Sequence, residues 1–197
     1  MEPKAPPHYP CNPNFPFLNT LLLPHLHWAN AVPDAHASAN LTINGTAFHL
    51  PAGSTGYHDK NWGDASVITS PKYWDWGHAT LGPLSLHAYA YLAKDGQILL
   101  TSCAESAVEV RQVGANATYP PTTGIAAADG LTVRYNLGGR AVFVANLTKE
   151  VVVVHDMGVY ARALGRVVGE IEGIEGEVYE GRGAYEEFVY GILYGSA

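Results

Sequence analysis

Hydrophobic and polar residues alternate with a period of two along most of the chain after residue 25. This alternation predicts half-buried β-strands, because successive side chains of a strand point to opposite faces of a sheet. Asn44-Gly45 separates two short alternating runs and predicts a tight two-residue hairpin. Further strands are predicted near 25–30, 56–62, 72–79, 84–92, 97–103, 107–113, 131–137, 141–147 and 149–155, and two or three closing strands follow residue 165.

The joins between these runs are short and rich in Gly, Pro, Asn and Asp, which is typical of an antiparallel meander. We expect an all-β domain over 25–197 that closes into a barrel, since closure removes exposed sheet edges. One short helix is predicted over 156–164, with Asp156 as its cap and Gly165 as its stop. Residues 1–24 hold seven of the thirteen prolines and are predicted to be an extended arm or the remnant of a linker.

The stretch 56–86 concentrates three of the four tryptophans together with histidines and aspartates. Rings alternate there with hydrogen-bonding groups, so each strand is expected to have an aromatic face and a polar face around a lined cavity. The run Leu84–Leu92 leaves two interpretations open for its polar face, which is either a wet outer surface or the wall of a ligand site. That face carries His87, Tyr89 and Tyr91.

Charge and hydropathy limit the classes of partner that this protein is expected to bind. The net charge is −7, and the eleven Lys and Arg residues are scattered singly, so no nucleic-acid partner is expected. No apolar run reaches the roughly 20 residues that span a bilayer, and no membrane partner is expected. The first residues lack the apolar core of a secretory signal, which favours a cytoplasmic location, whereas four Asn-x-Thr sequons at Asn40, Asn44, Asn116 and Asn146 keep the secretory route open. Cys11 and Cys103 are equally compatible with a disulfide and with two thiols.

The candidate chemistry is sparse. His25 and His27 lie two apart without a nearby carboxylate, so no metal site is predicted, and hydrogen bonding is their expected role. No nucleophile elbow, phosphate loop or dinucleotide fingerprint is present, and no cofactor is expected. Asp59, Asp64 and Asp75 could face one another, which leaves hydrolysis by paired carboxyl groups open. Asp59 is the candidate acid, with a structural tie to backbone and indole N–H groups as the alternative. The acidic residues of the closing strands are predicted to face solvent and block edge pairing: Glu177, Glu180, Glu186 and Glu187.

Four segments carry a resemblance to a known family: LLLPHLHWANAVPDAHA, GYHDKNWG, WDWGHATLGPLSL and GRGAYEEF. Together they resemble the carotenoid 1,2-hydratase-like (hydroxyneurosporene synthase-like) superfamily, especially its fungal Diels–Alderases, over roughly residues 21–188. The resemblance implies a lipocalin-like β-barrel and corresponds to the second of two tandem barrels only. It therefore implies a separate first-barrel partner or a homo-oligomer.

The implied function is a cofactor-free cyclase or isomerase of fungal secondary metabolism that folds a hydrophobic polyketide or terpenoid. A cavity that holds a flexible chain in its reactive fold lowers the entropic barrier of a pericyclic reaction. The alternatives are a hydratase or proton-initiated cyclase acting on an isoprenoid double bond, and a lipocalin-type binding protein or half of a two-barrel assembly. The predicted catalytic residues are Asp59, His78 and His87, and the predicted substrate-binding residues are His58, Asn61, Trp62, Trp74, Trp76, Tyr89 and Tyr91.

Overall fold

The structure is a computed structural model. It describes residues 1–7, 20–66, 71–82, 84–93, 98–101, 108–115, 117–119, 128–137, 141–156 and 159–189, while the side chains of 71, 72, 85, 87–93 and 98–101 lie outside the description. Cys11 and Cys103 are also outside it, as is Asn116 of one sequon. The described strands are β1 (Glu2–Pro3), β2 (Leu21–Leu23), β3 (Leu26–Ile43), β4 (Thr46–Trp62), β5 (Pro71–Leu81), β6 (Leu84–Ala93), β7 (Ile98–Thr101), β8 (Val108–Val113), β9 (Gly130–Asn136), β10 (Val142–Asp156), β11 (Tyr160–Ile171) and β12 (Val178–Val189).

These strands form two antiparallel sheets. The large sheet has eight strands in the order β7-β6-β5-β12-β11-β10-β9-β8, and its two end strands approach each other because the sheet curls. The small sheet is built on β3, which pairs with β1, β2 and β4. The all-β, lipocalin-like expectation is confirmed.

The predicted helix is wrong. β10 continues to Asp156 and β11 begins at Tyr160, with Asp156 and Tyr160 as register partners of a hairpin. Asp156 and Gly165 imitate a helix cap and stop, but the alternating residues of 160–171 bury one face against the sheet interior. Strand periodicity therefore outweighs the local capping signal. No helix that is long and apolar enough to cross a membrane occurs in the described part of the chain.

The Asn44-Gly45 hairpin is confirmed. Ile43 pairs with Thr46, and the two turn residues have positive φ angles of 51° and 79°. This geometry suits the right-handed twist of the flanking strands, and Asn and Gly are the residues that adopt it most easily. The hairpin is longer than predicted, since β3 and β4 each continue well beyond the turn.

The main core lies on the concave, inner face of the large sheet. It draws alternate residues from β5 and from β8 to β12, as strand geometry requires for one face of a curled sheet. The members with the lowest exposure are Leu81, Val108, Val110, Leu131, Ala163, Val167 and Tyr185.

Candidate active site

Strand β5 carries polar or aromatic side chains on both of its faces. Tyr73 and Asp75 share the inner face with the core residue Leu81, whereas Trp74, Trp76 and His78 lie on the opposite, outer face. Pairing with β12 extends both faces, because Asp75 is the register partner of Glu187 and Trp74 is the partner of Phe188. One strand therefore contributes buried side chains to both faces of the large sheet.

The outer face is covered by the small sheet. Trp76 packs on Tyr57 of β4 with ring centroids 5.4 Å apart, and His78 packs on the same tyrosine at 4.4 Å. The lined cavity predicted for the stretch 56–86 is not formed by these rings, since they make the contact between the two sheets. We call this contact the junction, and its buried apolar members are Leu22, Leu23, Leu26, Trp28, Trp74 and Trp76.

His78 is a buried imidazole in the junction. Burial lowers its pKa to about 4, although the charges of Asp34 and Asp59 and a hydrogen bond with the backbone of Pro33 act in the opposite direction. A buried histidine with such a pKa is neutral near pH 7. His78 can therefore donate or accept a hydrogen bond there, but its ring carries no positive charge near pH 7.

Asp59 makes a structural hydrogen bond of the kind predicted as the alternative to an acid role. The indole Nε1 of Trp28 donates a hydrogen bond of 2.8 Å to its Oδ2. This bond joins β3 to β4 at a point where Asp59 is the register partner of Asn30. The carboxylate thus fixes the orientation of a junction tryptophan.

The other predicted site residues fall into two groups. His58, Asn61 and Trp62 are exposed on β4, and Trp62 stacks on His27 with centroids 5.6 Å apart. The side chains of the second group lie outside the described residues, while their backbone register pairs them with His78, Trp76 and Trp74. The residues of this second group are His87, Tyr89 and Tyr91.

The inner face holds a pair of buried carboxyl groups, Asp75 and Glu187, which we call the acid pair. Their exposed fractions are 2% and 1%. The side-chain amide of Gln112 donates to both, over 3.1 Å to Asp75 Oδ1 and 2.7 Å to Glu187 Oε1. The second oxygen of Glu187 is buried and has no hydrogen-bond partner among the residues that the structure describes.

Burial keeps the acid pair protonated at higher pH than usual. Burial raises the pKa of Asp75 to about 7, against the hydrogen bond from Gln112. The pKa of Glu187 is raised to about 8 by burial and then by the charge of Asp75, while Gln112 and Lys149 act to lower it. Two interacting carboxyl groups titrate as a unit, so the pair retains a proton near neutral pH.

Tyr73 lies near both Asp75 of the acid pair and the more exposed Tyr119. Tyr73 is 1% exposed and shares the inner face with Asp75, and burial and its neighbour Tyr119 raise its pKa. Tyr119 is 40% exposed, and the guanidinium of Arg111 lies 3.8 Å from its ring centre. The pair thus lies at one end of the curled sheet rather than in its middle.

The middle of the sheet is almost filled. A cavity of about 30 Å³ remains on the inner face, and it is lined chiefly by Leu86, Leu131, Val133, Tyr135, Leu147 and Val167. Sites for drug-sized ligands measure several hundred Å³, so this cavity has room for only a small group. Neither Asp75 nor Glu187 lines this cavity.

The sequence predicts Glu187 to be a solvent-facing charge. That prediction is wrong. The signal was present, because Glu187 lies between Tyr185 and Val189 on one strand face, and both neighbours are 2% exposed. Gln112 follows the buried Val108 and Val110 at the same two-residue spacing.

In the described residues, no group of three or more His, Cys, Asp or Glu is arranged to hold a metal ion.

Comparison with known proteins decides the family. Residues 1–110 match the family model described as Diels-Alderase-like. The chain belongs to the Diels-Alderase-like family. This Diels-Alderase-like chain is 38% identical over 202 aligned residues to the quinolone epoxide rearrangement protein penF of Penicillium thymicola, and 34% identical over 201 to asqO of Emericella nidulans.

Each of these alignments covers 96% of the Diels-Alderase-like chain but 54% of the relative. The chain thus spans about half the length of the curated relatives that it matches. A crystal structure of CghA with Sch210972 has the same fold, with a TM-score of 0.67 and 14% identity over 86% of this chain and 56% of CghA.

Proposed function

We propose that this chain takes part in an acid-assisted rearrangement of an epoxide on a hydrophobic small molecule, with the acid pair as proton donor. The observation that carries the proposal is the buried contact of Asp75 and Glu187 through one amide group. A carboxyl group that stays neutral at pH 7 can protonate a substrate that a carboxylate cannot. The curated relatives are named for quinolone epoxide rearrangement, which supports this substrate class.

The reaction balances without a further reagent. A proton from the pair moves to the epoxide oxygen, the adjacent C–O bond breaks, and the electron deficiency at carbon is relieved when a neighbouring bond migrates or an internal nucleophile attacks. Loss of a proton from the rearranged cation to the carboxylate restores the pair. The product is an isomer of the substrate, and the apolar surroundings on the inner face keep water from capturing the cation.

The test is turnover of a quinolone epoxide by the purified chain, followed by liquid chromatography and mass spectrometry. Glu187→Gln and Asp75→Asn are expected to lower the rate about 100-fold, the usual contribution of a positioned general acid. Glu186→Gln is the matched control, because the neighbouring side chain lies on the opposite strand face and pairs with Arg162. Equal rates for Glu187→Gln and Glu186→Gln would refute the role of the pair.

A second candidate is a shape-driven pericyclic cyclisation of a polyene, which the family description favours. In that reaction no proton is transferred, so Glu187→Gln keeps the wild-type rate and the rate is independent of pH. A hydratase is distinguished by its product, which gains the mass of one water and takes up oxygen from labelled solvent. A binding protein retains the ligand unchanged.

A further inference from the structure

Gln112 reaches across the interior of the large sheet to the acid pair. It lies on β8 at one end of the sheet, whereas Asp75 and Glu187 lie on β5 and β12, which are neighbours in the middle of the strand order. Its amide nitrogen is 3.1 Å from Asp75 Oδ1 and 2.7 Å from Glu187 Oε1. A side-chain amide has two N–H hydrogens. Gln112 therefore gives one hydrogen to each acid and holds both carboxyl groups at a common nitrogen.

The hydrogen bond from Gln112 distinguishes the two oxygens of Glu187. Oε1 accepts the amide hydrogen, so a lone pair of this oxygen faces the N–H group. Oε2 is buried and has no hydrogen-bond partner among the residues that the structure describes. A buried carboxylate oxygen without a partner is costly, because its negative charge is neither solvated nor paired. The arrangement therefore favours a neutral Glu187 whose proton is on Oε2.

Gln112 also affects how readily this proton leaves. The carboxylate that Glu187 becomes after giving up its proton keeps the 2.7 Å hydrogen bond, and a hydrogen bond to a charged oxygen is stronger than one to a neutral oxygen. The amide thus acts to lower the pKa of Glu187, against burial and the charge of Asp75. It acts in the same direction on the pKa of Asp75. Without Gln112, the pair would be a weaker acid.

We propose that Gln112 is the positioning residue of the acid pair, and that it holds the transferable proton on Oε2 of Glu187. The placement of the proton follows from hydrogen bonds and burial, whereas its transfer to an epoxide rests on the proposed function. In the described part of the chain, the other ionisable groups that interact with the pair are Lys149, Tyr73 and Tyr185. Lys149 acts to lower the pKa of Glu187, and both tyrosines stay neutral while the pair titrates because burial raises their pKa values.

An infrared pH titration of the purified chain tests this placement without a substrate, because a neutral carboxyl group has a C=O stretching band that a carboxylate lacks. In the wild type, the band of the pair should be lost as pH rises through about 7 and 8. Gln112→Met keeps the length of the side chain but removes both donors, so the midpoint should rise by about one pH unit. Glu109→Gln is the matched control on the opposite face of β8 and should leave the midpoint unchanged.

Three infrared results would overturn the inference. An unchanged midpoint in folded Gln112→Met would show that the amide does not act on the pair, and a lower midpoint would show that its carbonyl oxygen faces the pair instead. Loss of the last-titrating band in Asp75→Asn but not in Glu187→Gln would place the proton on Asp75. Circular dichroism checks folding. If Gln112→Met does not fold, Gln112→Asn should raise the midpoint in its place, because its amide is one methylene short of the pair.

Turnover of a quinolone epoxide separates this inference from the proposed function. In Gln112→Met, kcat should fall about tenfold with KM within about twofold of wild type, and the alkaline limb of the pH–rate profile should move up with the infrared midpoint. Loss of turnover in Glu187→Gln without an infrared shift in Gln112→Met would refute the inference alone. An infrared shift in Gln112→Met with wild-type turnover in Glu187→Gln would refute the proposed function and still support the placement of the proton.

Discussion

The two faces of β5 and β12 bury ionisable groups with opposite consequences. On the outer face, burial lowers the pKa of His78 to about 4 and leaves an imidazole that has already lost its proton at neutral pH. On the inner face, burial raises the pKa values of Asp75 and Glu187 to about 7 and 8 and leaves an acid that still holds a proton. Desolvation favours the neutral form in both clusters, but only a carboxyl group is a proton donor in that form. Similar burial therefore yields a structural contact on one side and candidate acid chemistry on the other.

Truncation of Trp76 should have the largest effect on stability. Trp76 is 7% exposed and packs on Tyr57 in the junction. Trp76→Ala removes a large buried ring and is expected to lower the free energy of unfolding by about 3–5 kcal/mol. Urea denaturation measures this change. A loss below about 1 kcal/mol would show that the small sheet is not held on the large one through this ring.

The acid pair should make stability fall as pH rises from the ordinary carboxyl pKa values toward 7 and 8. Both carboxyl groups have higher pKa values in the folded protein than the ordinary values of 3.8 and 4.5, so the folded state binds more protons than the unfolded state in the intervening range. Their contribution is present at low pH and is lost as pH rises toward 7 and 8. Between pH 6.5 and 8, we expect the free energy of unfolding to decrease by about 1–2 kcal/mol.

The contribution of His78 to stability changes with pH in the opposite direction. Its pKa in the folded protein lies below the ordinary value of 6.5, so its contribution is present above pH 6.5 and is lost as pH falls toward 4. Above pH 6.5, the change of stability with pH therefore comes from the acid pair and not from His78. Asp75→Asn should flatten the decrease between pH 6.5 and 8 in denaturation curves, and an unchanged slope would contradict the assignment of the titration to the pair.

The smallest effect on stability and turnover is expected for substitution of Asp59, the acid that the sequence predicts. Asp59→Asn keeps an oxygen that accepts the bond from Trp28 but removes its charge, and should cost about 1 kcal/mol of stability. Turnover per folded molecule should stay within about twofold of wild type, because Asp59 lies with the junction residues rather than with the acid pair. A 100-fold loss of turnover in a folded Asp59→Asn protein would move the proton donor to the outer face.

The sequence alone predicted most of the strands, the Asn44-Gly45 turn and the sets of residues that share a strand face, but not β1, β2 or the start of β11. Those features are local, because backbone geometry sets the two-residue period and the turn residues set the φ angles. The family resemblance was equally visible in short motifs. Even the burial of Glu187 was encoded locally, by its position between Tyr185 and Val189.

Only the tertiary structure decided which face of each strand turns inward. Alternation states that Trp74, Trp76 and His78 lie together, but the same pattern fits a sheet that curls toward them and a sheet that curls away. The sheet curls away, so these rings meet the small sheet, and Asp75 enters the interior instead. The contact of Asp75 with Gln112, and of Gln112 with Glu187, depends on long-range strand order that no local pattern specifies.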